Sequence, residues 1–199
     1  MAPLLQSIAE ATEVPHRVLF ATSDQATVDE LDRLGASYLR DEGGDEGSYP
    51  KRINRMFAAT TEPYVLLAAD DLAFRPGWFQ SAMAVMREVD GVVGINDLHN
   101  PAGVHFLVSR KYIDTLGGCV GESGVVLHEG YRHTYCDDEM RATAIAHGRW
   151  GFARDAVVEH LHPGAGKAHH DNIYAIGAAS MSQGAEVFRS RSHLWQQGV

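Results

Sequence analysis

Apolar and polar positions along this chain alternate between two spacings. Short, dense apolar runs at Arg17 to Thr22, Tyr64 to Leu67, Gly91 to Ile95, Val104 to Ser109 and Ala156 to Val158 read as buried strands, and Ala36 to Leu39 as a further short one. The segments between them carry helical spacing. Leu4 to Thr12 is a short helix; Thr27 to Leu34 puts Val28, Leu31 and Leu34 on one face and stops at Gly35; Lys51 to Ala59 does the same with Ile53, Met56 and Phe57. Trp78 to Val89 is amphipathic, a short helix runs through Tyr112 to Leu116 until Gly117-Gly118, and Asp137 to His147 turns Met140, Ala144 and Ile145 inward before Gly148. A last helix follows Asp171, with small residues from Ala175 to Ala179, and packs across the domain. Asp41 to Pro50 and Cys119 to Tyr135 have no sustained period and read as loops. Such alternation predicts an α/β fold with a mainly parallel sheet flanked by helices, as one domain over residues 1–199.

Composition narrows the classes. A hydrophobic fraction of 45% and a charged fraction of 22% over 199 residues suit a chain that buries its own core. The formal charge of −9 disfavours a broad nucleic-acid surface, which needs clustered Lys and Arg to displace phosphate counterions. No apolar run is long enough to span a bilayer and the N-terminus carries no signal-like segment, so a cytoplasmic chain without a membrane span is expected. Cys119 and Cys136 form no close pair and read as reduced, structural thiols. The eleven histidines concentrate in the second half, and a histidine gains weight only through a neighbour that gives it a task.

Separately, Tyr64-Val65-Leu66-Leu67-Ala68-Ala69-Asp70-Asp71 is an apolar strand running straight into two carboxylates. The C-terminal ends of strands are where α/β folds bind ligands, and paired Asp oxygens suit a hard divalent cation carrying phosphate. Capping of the next segment is the competing role for the same pair.

Three blocks carry a resemblance. Asn54 within Lys51-Arg52-Ile53-Asn54-Arg55, then the strand with Asp70-Asp71, then Pro76-Gly77-Trp78, followed by Tyr135-Cys136-Asp137-Asp138-Glu139-Met140 and a strand ending in His160, are similar to the motifs of family 2 glycosyltransferases of the GT-A fold. The similarity extends from Val14 to about His162. It implies a Rossmann-related, GT-A-like domain that moves a sugar from a nucleotide diphosphate sugar, UDP-sugar by preference, to an acceptor hydroxyl with inversion. By this resemblance Asp71 and His160 would ligate Mn or Mg bridging the diphosphate, and Asp70 would touch the ribose or the water shell of the metal. Asp138, with Asp137 close behind, would take the acceptor proton, a task that requires hydrogen-bond reach to the nucleophile. Asn54 would lie at the nucleotide, Asp24 would contact the nucleobase with Lys51 or Arg52 nearby, and Lys167 would neutralise phosphate. Each has a plainer alternative: a helix cap for Asp24, a favourable charge at a helix start for the Asp137 to Glu139 cluster, and a solvated surface role for Lys167. The acceptor class stays open among a saccharide, a small molecule, a protein and a modified DNA base, as in compact phage-encoded enzymes.

The chain departs from the family pattern in two places. Ala68 and Ala69 stand where the acidic motif usually has another carboxylate or Asn, and the chain begins at a helix where members begin with a strand. The expected consequence is a sheet without its usual first strand and an open edge that favours self-association into a homo-oligomer. A non-catalytic GT-A-fold binding or scaffold module, or a nucleotidyltransferase-like enzyme, are the competing classes.

Overall fold

The computed structural model describes residues 1–41, 49–167 and 172–196. In chain order the elements are α1 (Ala2–Ala11), β1 (Leu19–Thr22), α2 (Gln25–Leu34), β2 (Ser37–Arg40), α3 (Tyr49–Ala58), β3 (Tyr64–Leu67), β4 (Leu72–Phe74), α4 (Trp78–Val89), β5 (Val92–Asn96), β6 (Phe106–Ser109), α5 (Arg110–Leu116), α6 (Cys136–Ala146), β7 (Trp150–His160), α7 (Asn172–Arg191) and α8 (His193–Gln196). Local chemistry sets many of the boundaries. Asp24 caps α2 by accepting the Thr27 N–H, and Gly35 ends that helix at φ 65°, a left-handed conformation that glycine adopts without a Cβ clash. Most of the loop expected at Asp41 to Pro50 lies outside the described residues, as do His169 and His170.

The architecture is mixed α/β, with a sheet that is mixed rather than mainly parallel. Five strands run in the order β3-β6-β5-β7-β4, and β1 and β2 form a separate parallel pair. Within the larger sheet only β5 and β7 run parallel; β3/β6, β5/β6 and β4/β7 are antiparallel. Connections explain the departure from the expected parallel sheet. A parallel neighbour needs a long crossover, whereas β5 returns to β6 through the Asp97 to His105 segment, which contains no helix and so reverses direction.

β4 is absent from the sequence-based reading, because three residues between Asp71 and Arg75 are too few to register as a run. It accounts for the length of β7. The first part of that strand, Trp150 to Ala153, pairs with β5; the register then shifts, and Val158 to His160 pair with β4. His160 therefore stands opposite Leu72, beside Asp71.

Alternate residues of the central strands feed two cores, as the two-residue strand repeat dictates. Val93, Ile95 and Leu107 pack with Leu4 and Ile8 of α1 and with Ala82 and Met86 of α4. Val92, Phe106 and Val108 pack on the other face with Phe57 of α3, Ile113 of α5 and Met140 and Ala144 of α6. Among the described residues, no helix is long and apolar enough to cross a membrane.

Candidate functional site

The sheet pairing brings two sequence-distant groups into contact. Asp71 follows the short turn after β3, and His160 closes β7; their side chains meet with Asp71 Oδ2 at 3.0 Å from His160 Nε2, across a separation of 89 residues. Backbone bonds hold the pair, since Leu161 N–H donates to the Asp71 carbonyl at 2.8 Å and His160 N–H donates to the Asp97 carbonyl at 3.0 Å. Asp70, one residue earlier, is exposed at the turn.

More imidazoles and one more carboxylate surround this contact. His105 lies 5.0 Å from His160 between ring centres, His162 also 5.0 Å, and His99 stacks on His162 at 5.1 Å with 22° between the planes. Burial, helped by the nearby His160, pushes the His105 imidazole down to about 4, so it is neutral at physiological pH. Asp97 is fully buried, and its Oδ1 accepts the N–H groups of His99 and Asn100 at 2.8 and 2.6 Å. Its Oδ2, like His160 Nδ1, has no hydrogen-bond partner among the described residues. A buried polar atom left so costs roughly 1–3 kcal/mol, which marks a place arranged for more than packing.

A carboxylate and an imidazole in contact are groups that could hold a divalent cation together with substrate phosphate. The 3.0 Å between Asp71 Oδ2 and His160 Nε2 is that of a hydrogen bond, and two ligands each about 2.1 Å from an octahedral ion stand about the same distance apart. No three-residue ligand group occurs among the described residues.

A second cluster of groups lines a cleft of about 280 Å³ between the Asn100 to Val104 loop and the start of α6. Asp137, Asp138 and Arg141 face it, together with Phe106, whose chain neighbour His105 contacts His160. The acidic start of α6 divides into three roles. Glu139 turns inward, 1% exposed, to the Arg191 guanidinium. Asp138 bonds Arg141 at 3.0 Å. Asp137 is pushed up to about 6, by burial first and by the Asp138 charge second, even though backbone N–H groups at the helix start pull the other way. A carboxyl tuned to that value is suited to general-base work near neutral pH. Of the two, Asp137 carries the raised value and Asp138 the ion pair with Arg141.

The remaining residues singled out from the sequence fall elsewhere. Asn54 uses its whole amide on one loop: Oδ1 accepts the N–H groups of Val126 and Leu127 at 3.0 Å, and Nδ2 donates to the Leu127 carbonyl at 2.9 Å and to Glu129 at 3.0 Å. Two donors and two acceptors are thereby spent, and a nucleotide role for Asn54 gives way to a loop clamp. Asp24 acts as the helix cap, and the Thr27 N–H and hydroxyl hold its carboxyl below the usual range. Arg52 reaches Ser23 beside it at 3.4 Å, while Lys51 is exposed on α3. Lys167 pairs with Glu159 at 2.9 Å, and Arg75 bonds the same carboxylate, which both cations hold below its usual range.

Sequence reasoning passed over Asp97, His99 and His105. Asp97 had a usable signal, because Asn96-Asp97 follows the apolar run Val92 to Ile95 in the same strand-then-acid pattern that singled out Asp70 and Asp71. No family model matches the chain, and no curated protein matches it either.

Proposed function

We propose that this chain is a metal-dependent glycosyltransferase that moves a sugar from a nucleotide diphosphate sugar, with UDP-sugar as the first donor to try, to an acceptor hydroxyl. One observation supports the reading: the carboxylate after β3 and the imidazole ending β7, 89 residues apart in the chain, are brought into contact at 3.0 Å, where both could hold one cation. A divalent cation held by Asp71 and His160 would neutralise charge on the departing diphosphate.

The protein groups have separable tasks in this reading. Asp97 fixes the loop that follows β5 through two backbone N–H groups, and its carbonyl holds the His160 backbone, so it orients a ligand rather than acting on substrate. Asp137 receives the proton of the acceptor hydroxyl at its carboxylate, from a cleft large enough to admit a hydroxyl-bearing ring. A base opposite the leaving group gives inversion at the sugar carbon.

The test is release of UDP from UDP-glucose, UDP-galactose and UDP-N-acetylglucosamine in the presence of Mn, with water as the default acceptor. Turnover above buffer that disappears with EDTA supports the proposal. Mn-dependent binding of UDP without turnover of any donor would make the chain a binding module, and absence of both binding and turnover would remove the nucleotide-sugar reading.

A further inference from the structure

The turn that leads into α6 is strained, and α7 is packed against it. Tyr135, the residue before Cys136, has φ 71°, a left-handed conformation that a bulky side chain adopts only at a cost. Such a residue persists where its surroundings over-determine it. One face of α7 supplies those surroundings, with Gly177, Ser180, Gly184 and Phe188 at three- and four-residue spacing. A Cβ added at Gly184 would stand 2.6 Å from the Thr134 carbonyl oxygen, 2.8 Å from Thr134 Oγ1 and 3.0 Å from Tyr135 Cδ2. Ser180 Oγ lies 3.4 Å from Thr134 Oγ1, and the Phe188 ring meets the Tyr135 ring at 5.8 Å between centres.

Glycine weakens a helix interior relative to alanine, and at 184 it is the condition for contact between α7 and the backbone of the turn. The same turn sets the start of α6: the Glu139 N–H donates to the Tyr135 carbonyl at 3.0 Å, and the Cys136 thiol donates to the His133 carbonyl at 3.1 Å. Asp137 stands two residues beyond Tyr135 and lines the cleft, whereas none of the four α7 residues does. Among the described residues, the charged groups that act on Asp137 are Asp138 and Arg141 of α6, and the Cys136 thiol and the Tyr49 hydroxyl of α3 also face it. None of these belongs to α7, so α7 acts on Asp137 through position and not through charge.

We propose that Gly184 and Tyr135 are positioning residues for the base: α7 seats the left-handed turn, and the turn places the Asp137 carboxylate at the cleft. The base role of Asp137 rests on the sugar-transfer reading, whereas its placement is measurable without turnover. A Cβ at 184 meets a main-chain oxygen, which has no rotamer to yield, so α7 and the turn must separate. Opening this packing moves Asp137 and lets water approach, and burial is the first cause of its raised value.

The test is Gly184→Ala in the full chain, with aspartate carboxyl carbons labelled and followed by NMR against pH. Loss of one resonance in Asp137→Asn assigns Asp137. Its midpoint, about 6 in the unsubstituted chain, should fall by about one pH unit in Gly184→Ala. With UDP-glucose and Mn, the same variant should lose kcat about 100-fold with the donor KM within about twofold, because a displacement of about 1 Å at a reacting group costs that much. Ala179→Gly, on the exposed side of α7, weakens the helix without touching the turn and should change neither reading. Where Gly184→Ala does not fold, Phe188→Leu removes the ring contact with Tyr135 and should lower the midpoint in the same direction. An unchanged midpoint in the folded variant, an equal fall in Ala179→Gly, or a lowered midpoint with kcat unchanged each overturns the proposal. A lowered midpoint in a chain that turns over no donor even when unsubstituted upholds the seating of Asp137 by α7 and overturns the sugar-transfer reading alone.

Discussion

Asp71 and His160 are held side by side, 3.0 Å apart, because Leu72 pairs with His160 in the β4/β7 ladder. Their contact is thus fixed by backbone rather than by two mobile side chains. Replacing Asp71 with Asn keeps the size and a hydrogen bond to the imidazole but removes the charge that a hard cation requires. Loss of even an outer partner of a metal ligand costs 10–100-fold in affinity, so Asp71→Asn should weaken Mn-dependent UDP binding by at least about 100-fold. Isothermal titration with and without Mn measures it. Equal UDP affinity in the variant, at unchanged Mn response, would remove Asp71 from the site.

Asp137 makes a prediction in which activity and stability move in opposite senses. Its folded-state carboxyl is raised to about 6 from the ordinary 3.8, so between these values the folded chain binds a proton that the unfolded chain has lost. Stability from this group is full at pH below about 4, falls as pH rises to about 6, and stays reduced above that by roughly 2–3 kcal/mol. Asp137→Asn should therefore raise the midpoint of urea unfolding at pH 7.5 and leave it nearly unchanged at pH 4. The same substitution should abolish transfer, whereas the unsubstituted chain should gain kcat/KM with pH up to a plateau above about 6.

Asp138 offers the complementary measurement. Its charge is the second cause of the raised Asp137 value, so Asp138→Asn should keep transfer while moving the acidic limb of the pH profile to lower pH. A complete loss of transfer in Asp138→Asn with an unshifted Asp137→Asn profile would return the base role to Asp138.

Much of this site was legible because it follows strands. Apolar runs ending in acid announce a sheet edge, and it was the family resemblance that set Asp71 and His160 at one place, where the structure brings them into contact. Sheet direction was not legible from alternation alone, since it depends on whether a helix separates consecutive strands, and none separates β5 from β6. β4 was too short to see, yet it sets the Asp71 to His160 contact. Asn54 was singled out by a motif resemblance, and its hydrogen bonds to a loop more than 70 residues later were not legible until that loop was placed against it.

The Asn54 clamp separates folding from binding. Asn54→Ala leaves the N–H groups of Val126 and Leu127 without their acceptor, and each partly buried orphan costs roughly 1–3 kcal/mol. The variant should lose about 2–6 kcal/mol in urea unfolding and bind UDP with Mn within twofold of the unsubstituted chain at a temperature where both are folded. A tenfold loss of UDP affinity without loss of stability would restore Asn54 to the nucleotide site.

Glu139 and Arg191 tie the end of α7 to α6, and the cost of breaking the tie differs by which partner is removed. Glu139 is 1% exposed and takes three bonds from Arg191, at 2.8 to 3.1 Å, and one from the Tyr131 hydroxyl at 2.6 Å. Arg191→Ala leaves a buried carboxylate without its counter-charge, a change that typically costs 3–5 kcal/mol, and about that loss is expected in urea unfolding at pH 7.5. Glu139→Gln keeps the Tyr131 bond and leaves Arg191 next to Glu122, 3.2 Å away, so the guanidinium retains an acceptor. The smaller loss expected there, about 1–2 kcal/mol, follows from one remaining ion pair at a partly exposed site. Equal losses in the two variants would show that the Arg191 counter-charge is not what holds Glu139 in the core.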